Sequence, residues 1–216
     1  EGQETLEYPE VPNLDNCPTG YHLKKGASQL YANHINFNED ETDYIIYRYG
    51  EVLLNYIEAK AELGIGNVTQ ADLDKTVNKL RDRAGLPAEA HLTLGNIPED
   101  DQNVFYQDGL APLLVEIRRE RRIELACEGY RLDDLLRWAA IEEVLLGKKK
   151  FYGAKYDWWV QTSDEYNEDD FPVNSEGYLD PWEEFQGYTG FNSDRDYLQP
   201  LGTEEIGLAG YEQNPG

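Results

Sequence analysis

Apolar residues recur at three- and four-residue steps through the middle of the 216-residue chain, which is the spacing of one face of an α-helix. Four segments follow this pattern, at 43–64, 69–85, about 108–128 and about 132–146. Each is long enough for several turns, so the pattern predicts four helices. The residues expected on apolar faces are Ile46, Tyr49, Leu53, Tyr56, Ile57 and Lys60 in the first helix, Leu73, Val77 and Leu80 in the second, and Leu132, Leu135, Leu136 and Ala139 in the fourth.

Capping and breaking residues stand at the ends of these segments. Thr69 and Asp72 have the spacing of an N-terminal cap and of an acid at the third helical position. Pro112 suits a first helical turn, because its missing N–H would have no partner there in any case. Gly64 is typical of the left-handed residue that ends a helix, and Gly129 is expected to separate the third helix from the fourth.

The order of the helices predicts two helical hairpins, at about 43–85 and 109–146. Paired helices that stack on their neighbours are typical of a tetratricopeptide-like superhelix, so we expect an all-α fold with a large irregular loop region. Residues 1–42 are punctuated by proline and glycine, and residues 147–216 lose the helical pattern. We expect loops, short helices and room for a short strand pair in 147–216, with 1–216 forming one domain.

Residues 116–138 concentrate six of the ten arginines of the chain and match them with six acidic residues. Glutamates recur at every fourth position from Glu116 to Glu128, and they would repel each other on one helix face without nearby cations. At three-residue steps we expect the pairs Arg119–Glu116, Arg121–Glu124 and Arg131–Glu128. Arginines available from other helices are Arg48, Arg81, Arg83 and Arg137.

These arginines predict a partly buried ion-pair lattice that fixes how the helices cross. Arginine suits this role because its planar fork binds carboxylates in pairs and loses water more readily than lysine. A rival interpretation is a binding site for an anion such as a sugar acid or a phosphate. The predicted lattice consists of Glu116, Arg119, Glu120, Arg121, Arg122, Glu124, Glu128 and Arg131.

The charge of the chain argues against a nucleic-acid partner. Acidic residues outnumber basic ones by 43 to 19, for a formal net charge of −24. Phosphate backbones require clustered lysine and arginine, and the lysine run at 148–150 follows an expected helix end, where cations suit the helix dipole. No apolar run approaches the ~18 residues that span a membrane.

Cofactor and metal chemistry have little support in the sequence, and we expect neither. Cys17 and Cys127 make no metal motif, and Cys127 lies among apolar residues of a predicted helix, where we expect it to be buried. The acidic stretch 163–170 has oxygen ligands suited to calcium but lacks the loop pattern of an EF-hand, so a solvated acidic loop is the favoured interpretation.

Aromatic residues concentrate after the helices, with 12 of the 26 falling within 151–191. Flat aromatic faces beside polar groups form the mixture that binds sugars, because a ring packs against the C–H face of a sugar while polar groups reach its hydroxyls. The alternative is that these aromatics pack an irregular region that lacks aliphatic residues. Trp138, in contrast, is expected in the core. The candidate ligand-binding residues are Tyr156, Trp158, Trp159, Tyr178 and Trp182.

Four segments of the chain resemble the C-terminal part of the SusD/RagB family. They occur in the order of the family, and the arginine-rich helix followed by EGYR and RW is the most diagnostic. The departures are modest: Gly50 stands where the family usually has Ala, and Cys127 replaces a common Phe. The segments are RYGEVLLNYIEAKAELG (48–64), KLRDRAGLP (79–87), IRRERRIELACEGYRLDDLLRW (117–138) and YLQPLGTEEIGLAGYEQNPG (197–216).

This resemblance implies a surface-exposed nutrient-binding lipoprotein of the outer membrane. Such proteins capture oligosaccharides or polysaccharides, and sometimes peptides, for a SusC-like TonB-dependent transporter, and they are not enzymes. The membrane association would come from a lipid anchor outside this chain. The family is normally much longer and the chain contains no methionine, so we expect a C-terminal fragment.

Two other functions compete with glycan capture. A helical-repeat scaffold for protein binding would use an apolar groove on the helices, and the aromatic loops would take no part in binding. A glycoside hydrolase would need two positioned carboxylates, one of them with a raised pKa. Because any chain with 43 acidic residues contains some such pair, the count neither supports nor excludes a hydrolase. The family resemblance argues against the hydrolase.

Overall fold

The computed structural model of the protein describes residues 17–26, 45–98, 106–146, 152–157, 172–185 and 187–214. Backbone contacts divide the chain into two compact units. The helical unit comprises Ile46–Lys148 and Gly187–Gly216, and the small unit comprises Glu1–Ile45 and Lys149–Gln186. The assignment of 1–216 to a single domain stays a prediction.

Within these residues the regular secondary structure is helical, which confirms the predicted all-α fold. Short 3-10 turns lie at Ile65–Asn67 and Ala88–Ala90. None of the described helices has the length and apolar character needed to cross a lipid bilayer. The helices are α1 (Tyr49–Glu62), α2 (Gln70–Lys75), α3 (Val77–Arg83), α4 (Pro112–Glu124), α5 (Tyr130–Arg137), α6 (Ile141–Val144) and α7 (Thr203–Ala209).

The predicted helix starts at Thr69 and Pro112 are confirmed. Thr69 accepts a hydrogen bond from the backbone N–H of Asp72 at 3.3 Å, and the Asp72 carboxylate accepts one from the backbone N–H of Thr69 at 2.9 Å. This reciprocal capping box satisfies two N–H groups that helical geometry leaves without a partner. Pro112 occupies the first turn of α4, where no N–H is required.

The second predicted helix, 69–85, is interrupted at Thr76. The backbone there has φ −119° and ψ −92°, which is outside the helical region, and it divides the segment into α2 and α3. The Thr76 hydroxyl donates to the carbonyl of Asp72, so a side chain takes an acceptor from the helical ladder. The first helix is also shorter than predicted, because residues 45–48 are not helical and α1 begins at Tyr49.

The third and fourth predicted helices end early as well. α4 stops at Glu124, four residues before the predicted end. The fourth helix divides into α5 and α6 because Ala139 adopts a left-handed conformation, with φ +49°. The Ala139 N–H donates to the Leu136 carbonyl and the Ala140 N–H to the Leu135 carbonyl, which is the pattern of a Schellman stop. A short alanine at this position tolerates a conformation that usually selects glycine.

α1 packs against α4, and their contact forms the main hydrophobic core. Ile57 of α1, Val77 of α3 and Ile117 of α4 are all fully buried there. The predicted apolar stripe of the second helix is confirmed, since all three of its residues lie inside the protein. Other members of this core are Ala61, Val68, Leu73, Leu92, Leu113 and Leu114.

The predicted apolar face of α1 is only partly correct. Leu53 and Ile57 are buried, but Tyr49 and Tyr56 are exposed. The tyrosines lie beside charged groups of the next helices: Lys75 Nζ lies 4.7 Å from the centroid of the Tyr56 ring. A long aromatic side chain at the edge of a helix face can pack against a neighbouring cation and direct its hydroxyl to polar groups, so apolar spacing alone misplaced it.

The face predicted for the fourth helix is also only partly correct. Leu135 is buried and Leu136 is half-buried, but Leu132 and Ala139 are exposed. The early end of α5 at Arg137 takes Ala139 off the predicted face, and Leu132 lies in the exposed first turn of α5. Leu135 packs in a separate cluster with Trp138, Ile141 and Val144.

The segment after α3 is fastened to the helical unit by a buried asparagine. The Leu92 N–H donates to Asn78 Oδ1 at 2.7 Å, and Asn78 Nδ2 donates to the Leu92 carbonyl at 3.0 Å. The side-chain amide thus pairs with the backbone of Leu92 as a neighbouring strand would. This pairing places the Leu92 side chain in the core without leaving its backbone groups unsatisfied.

The described part of the small unit is held by backbone hydrogen bonds between distant residues. The Ala154 N–H donates to the Thr19 carbonyl at 2.8 Å, and the Leu179 N–H donates to the Ala154 carbonyl at 2.9 Å. Isolated antiparallel bridges join Lys155 to Tyr178 and Val173 to Leu179. In this part of the chain the expected strand pair therefore takes the form of single bridges.

Candidate functional site

The predicted ion-pair lattice begins where α3 crosses α4. Arg81 is buried and its Nε donates to Glu120 Oε1 at 2.7 Å. Its Nη2 also pairs with Glu116. Arg119, three residues after Glu116 as the spacing predicts, donates to both Glu116 oxygens at 2.7 Å.

Glu116 illustrates how the lattice offsets the cost of burying charge. Burial raises the pKa of Glu116, but hydrogen bonds and charge from Arg119 and Arg81 outweigh it and hold the pKa below its ordinary value. The carboxylate stays ionised inside the protein because two guanidinium groups surround it. Removing either arginine would leave part of that burial cost uncompensated.

A second centre of the lattice joins α4 to α1 and α5 through Arg121. Arg121 Nε donates to Asp134 Oδ2 at 2.8 Å, and Nη1 donates to Asn55 Oδ1 at 2.6 Å. The predicted pair between Arg121 and Glu124 is therefore wrong. Arg121 lies on the inward side of α4, where the crossing helices offer their own acceptors, and sequence spacing within one helix could not reveal them.

Glu124 takes its cations from α3 and from the residue that precedes α1. Arg83 Nη2 donates to the two Glu124 oxygens at 2.8 and 2.7 Å. Arg48 pairs with Glu124 and, through Nε, with Glu128 Oε2 at 2.6 Å. A Cβ on Gly50 would lie 2.8 Å from Arg48 Nη1 and 2.9 Å from Glu124 Oε1, so glycine leaves room for this pair.

A third centre surrounds Glu58 and Trp138. Trp138 Nε1 donates to Glu58 Oε1 at 2.6 Å, and Arg137 Nη2 donates to Glu58 Oε2 at 2.7 Å. The Arg118 guanidinium lies 4.2 Å from the centroid of the Trp138 ring. The expectation that Trp138 belongs to the core is confirmed, and its indole joins the polar lattice as well as the apolar cluster.

Asp72 forms a further polar centre that sequence reasoning recognised only as a cap. It is buried and accepts from the Tyr56 hydroxyl at 2.9 Å, and it pairs with Lys75 at 2.9 Å and with Lys60. Hydrogen bonds from Lys60, then Thr69 and Lys75, hold the pKa of Asp72 far below its usual range. The sequence contained the necessary signal, because an acidic residue at a cap position with lysines nearby can form ion pairs with those lysines.

The aromatic candidates occupy different environments. Tyr156 is only 4% exposed, and this burial argues against its predicted stacking on a ligand. Its backbone N–H donates to the Gly177 carbonyl at 2.8 Å, within the small unit. Trp182 is 43% exposed on a turn of the same unit. Trp158 and Trp159 lie outside the described residues, as does the acidic stretch 163–170.

Tyr178 is positioned by a turn built on Asn174. The Tyr178 N–H donates to Asn174 Oδ1 at 3.0 Å, and the Asn174 N–H donates to the Tyr178 carbonyl at 2.9 Å. Its half-buried ring is stacked on Tyr152, with centroids 6.3 Å apart and planes inclined by 26°. Lys155 Nζ lies 5.9 Å from the Tyr178 centroid. Tyr152 was missed by sequence reasoning, because residues far apart in the chain form this ring pair.

The cysteines differ from expectation in one respect. Cys127 is exposed, so the predicted burial is wrong: α4 ends before it, and Cys127 lies in the following turn with φ +63°. Both cysteines are free thiols. Across the described ranges no group of three or more acidic, histidine or cysteine side chains has the arrangement of a metal site.

The sequence profile of the SusD family matches residues 6–216, and the chain therefore belongs to this family. SusD-like protein P38 of Formosa agariphila is 34% identical over 118 residues, which are 55% of this chain and 21% of that protein. SusD-like protein P2 of the same organism is 37% identical over 116 residues, or 54% of this chain and 20% of that protein. Each match thus spans about a fifth of the length of the curated relative.

Among solved structures, a SusD-like carbohydrate-binding protein from Bacteroides fragilis is 30% identical to this chain, with a TM-score of 0.44. The match covers 75% of this chain and 27% of that protein.

Proposed function

We propose that this chain is the glycan-binding component of an outer-membrane nutrient uptake system. The observation that carries the proposal is the match to the SusD family over residues 6–216. The solved relative from Bacteroides fragilis is described as carbohydrate-binding, and we extend that class of ligand to this chain. The proposed activity is binding, without catalysis.

The small unit supplies the aromatic surface that this role needs. Trp182 and the stacked pair Tyr152–Tyr178 offer flat apolar faces, and Lys155 lies beside that pair. Aromatic faces with a few polar groups suit the C–H side and the hydroxyls of a sugar ring. We therefore propose Trp182, Tyr178 and Tyr152 as ligand contacts, and Trp158 and Trp159 remain candidates from the sequence.

The proposed partner is a SusC-like TonB-dependent transporter. In this proposal the protein works at the cell surface, on the outer membrane, through a lipid anchor outside these 216 residues. It captures oligosaccharides and delivers them to the transporter. The helical unit would provide a rigid frame for docking, because its helices are joined by the buried ion pairs of Arg81 and Arg121.

Affinity gel electrophoresis against a panel of soluble plant, mucosal and microbial polysaccharides tests the proposal. We expect at least one neutral glycan to retard the chain, and we expect Trp182→Ala or Tyr178→Ala to abolish the retardation. Tyr211→Ala is the matched control, because Tyr211 is exposed in the helical unit, and it should migrate like the wild type. Trp158→Ala and Trp159→Ala complete the set.

The same gels separate the proposal from its competitors. Retardation that survives all four aromatic substitutions would reject the small unit as the site. Release of reducing sugar from a retained glycan would favour a hydrolase. No retardation by any glycan would reject glycan capture by this chain.

A protein-binding helical scaffold is the second candidate. The observation that favours it is an apolar surface along α1, where Tyr49, Val52 and the C-cap residue Leu63 are exposed at the spacing of one helix face. In that case Val52→Lys should change binding to a protein partner, and the aromatic substitutions in the small unit should change nothing.

A further inference from the structure

Two tyrosines and three lysines form an exposed surface along α1, within the helical unit. Tyr49 and Tyr56 are seven residues apart, which is about 10 Å and nearly two full turns, so they lie on the same side of the helix. They are 61% and 41% exposed, and Val52 between them is 56% exposed. The members of this tyrosine–lysine face are Tyr49, Val52, Tyr56, Lys60, Lys75 and Lys79.

The lysines of this face lie beside the tyrosine rings. Lys79 Nζ is 5.1 Å from the centroid of the Tyr49 ring. Lys75 Nζ and Lys60 Nζ are 4.7 and 5.8 Å from the centroid of the Tyr56 ring. These three are all the lysines of the described helices, so α1, α2 and α3 each contribute one to the same surface. Each exposed ring therefore has an ammonium group beside it.

Positive charge exceeds negative charge on this face. One carboxylate, that of Asp72, pairs with both Lys60 and Lys75. Within the described part of the chain no carboxylate forms an ion pair with Lys79, which contacts the Tyr49 ring instead. The other acids of these three helices are hydrogen-bonded to different residues: they are Glu51, Glu58, Glu62, Asp74 and Asp82.

The net charge of −24 does not cancel this local excess at physiological ionic strength. Interactions between exposed charges are largely screened there beyond about 8 Å. An anionic group at the face would therefore interact mainly with Lys75 and Lys79, whose side chains are exposed. Lysine also suits a repeating anion, because its flexible stem lets the ammonium group follow a ligand whose position varies.

We propose that the tyrosine–lysine face binds an acidic polysaccharide, one whose sugar units carry carboxylate groups. The exposed ring surfaces pack against the C–H faces of the sugars, and the ammonium groups pair with the carboxylates. Two rings about 10 Å apart along one helix suit an extended polymer that crosses both. The inference rests on the glycan-binding function proposed above, but it uses a different surface, in the other unit. An acidic polypeptide is the competing occupant.

Binding of the whole chain to immobilised polygalacturonate tests the proposal, with fully methyl-esterified polygalacturonate as the neutral control on the same backbone. We expect saturable binding to the acid form that weakens as the ionic strength rises, and at least about tenfold weaker binding to the ester. Poly-glutamate is the probe for an acidic polypeptide. The proposal would be overturned by no binding to polygalacturonate, by equal binding to acid and ester, or by equally tight binding to poly-glutamate.

Val52 provides a signed test that leaves the tyrosines and lysines in place. Because Val52 is exposed, both a lysine and a glutamate should be tolerated there. We expect Val52→Lys to strengthen binding to polygalacturonate about three- to tenfold and Val52→Glu to weaken it by a similar factor. Leu208→Lys and Leu208→Glu are the matched controls, since Leu208 is 89% exposed on α7, and both should leave the affinity unchanged. Equal affinities in the two Val52 variants would contradict the proposed site.

Substitutions of Tyr49 and Lys79 separate ring stacking from charge. We expect Lys79→Gln to weaken binding about three- to tenfold and Tyr49→Ala to weaken it about two- to tenfold. Tyr49→Phe keeps the ring and should bind like the wild type. An unchanged affinity in Tyr49→Ala would overturn the assignment to a saccharide, because a site that reads charge alone does not need the ring.

The neutral glycan of the affinity gels keeps this proposal apart from the proposed function. Val52→Glu should bind that glycan like the wild type, and Trp182→Ala should still bind polygalacturonate. Loss of polygalacturonate binding in Trp182→Ala would overturn the assignment to the helical unit. A chain that binds polygalacturonate but no neutral glycan would refute the site in the small unit and support the one on α1.

Discussion

The two units of the molecule are stabilised by different interactions. In the helical unit, charged side chains enter the interior in pairs, as Arg81 does with Glu116 and Arg121 with Asp134. In the described part of the small unit, backbone hydrogen bonds connect distant segments, and Gly153 allows two of them to approach closely. The helical unit is therefore expected to be sensitive to loss of charge, and the small unit to added volume.

The difference also bears on function. A helix crossing that is fixed by several charge-assisted hydrogen bonds has one preferred geometry, which suits a rigid frame. In the small unit Trp182 lies on a turn and Tyr178 lies at a single bridge that follows a turn, and such irregular segments commonly carry binding residues. Substitutions that act on one unit and spare the other test this contrast.

Loss of Arg121 should have the largest effect. Arg121→Ala leaves Asp134 and Glu58 buried with fewer cations, and we expect the free energy of unfolding to fall by about 3–5 kcal/mol. Urea denaturation followed by circular dichroism measures the change. The matched control is Arg83→Ala, because the Arg83 side chain is largely exposed, and we expect it to cost less than about 1 kcal/mol. Equal losses would contradict a buried lattice.

Trp138→Phe should have the next largest effect on the helical unit. The substitution keeps an aromatic ring but removes the Nε1–H that donates to the buried Glu58 carboxylate at 2.6 Å. Hydrogen bonds to charged groups contribute about 1.5–3 kcal/mol, and we expect a loss in that range by urea denaturation. Trp182→Phe, at an exposed position of the small unit, should change stability by less than about 0.5 kcal/mol. An unchanged free energy of unfolding in Trp138→Phe would show that the indole N–H does not contribute to stability.

Gly153→Ala should perturb the small unit alone. A Cβ there would lie 2.5 Å from the Thr19 carbonyl oxygen and 2.8 Å from Leu179 Cβ, and a backbone oxygen cannot move aside as a flexible side chain can. We expect a local loss of about 1–3 kcal/mol, measured as faster hydrogen exchange in residues 152–157. Gly66→Ala is the control, since no atom lies within 4 Å of its added Cβ. Unchanged exchange in Gly153→Ala would refute the close approach.

Asp72→Asn should have a smaller effect that depends on pH. The amide keeps an oxygen that can accept from the Thr69 N–H, but it loses the charge that pairs with Lys60 and Lys75. Because the folded-state pKa of Asp72 lies below its unfolded value, the ionised carboxylate stabilises the fold above about pH 4. That contribution is lost as the pH falls toward the folded pKa.

Melting temperatures at pH 7 and at pH 2 measure this dependence. The wild type should melt above Asp72→Asn at pH 7, and the gap should narrow at pH 2. Asp133→Asn, an exposed aspartate on α5, is the control. A gap that is equal at both pH values would mean that the charge of Asp72 does not contribute.

Gly50→Ala should have the smallest effect. Alanine is more favourable than glycine by up to about 1 kcal/mol inside a helix, and by less at Gly50, the second residue of α1. The added Cβ would also crowd Arg48 and Glu124. Both contacts are at the ends of flexible side chains, so we expect the pair to shift and the net change to stay within about 1 kcal/mol. Urea denaturation compares it with Gly153→Ala, whose contact is backbone. A loss as large as that of Arg121→Ala would mean that the Arg48–Glu124 pair cannot move.

The sequence predicted those structural features that depend on residues close together in the chain. The Thr69 cap and Pro112 are local signals, and both were confirmed. Helix periodicity located the helices but gave only part of their bounds and of their buried faces. The sequence also predicted that arginines form an ion-pair lattice, because arginines, glutamates and apolar residues are interleaved in α4. The partner of Arg121 was not predictable, since Asp134 reaches it only through the crossing of α5 on α4.

Nonlocal contacts explain some of the other differences, and local hydrogen bonds that replace helical ones explain the rest. The ring pair of Tyr152 and Tyr178 requires contact between residues 26 positions apart, which periodicity does not encode. The breaks at Thr76 and Ala139 depend on single side-chain or backbone hydrogen bonds that compete with helical ones. The burial of Tyr156 likewise follows from packing within the small unit and not from any local pattern.

Hydrogen exchange of the chain with and without a neutral glycan that retards it tests the central claim most directly. The claim is that the small unit binds the ligand while the helical unit serves as the frame. It predicts slower exchange in residues 152–157 and 172–185 on binding and unchanged exchange in α1 and α4. Protection confined to α1, α4 or the turn between α4 and α5 would contradict it.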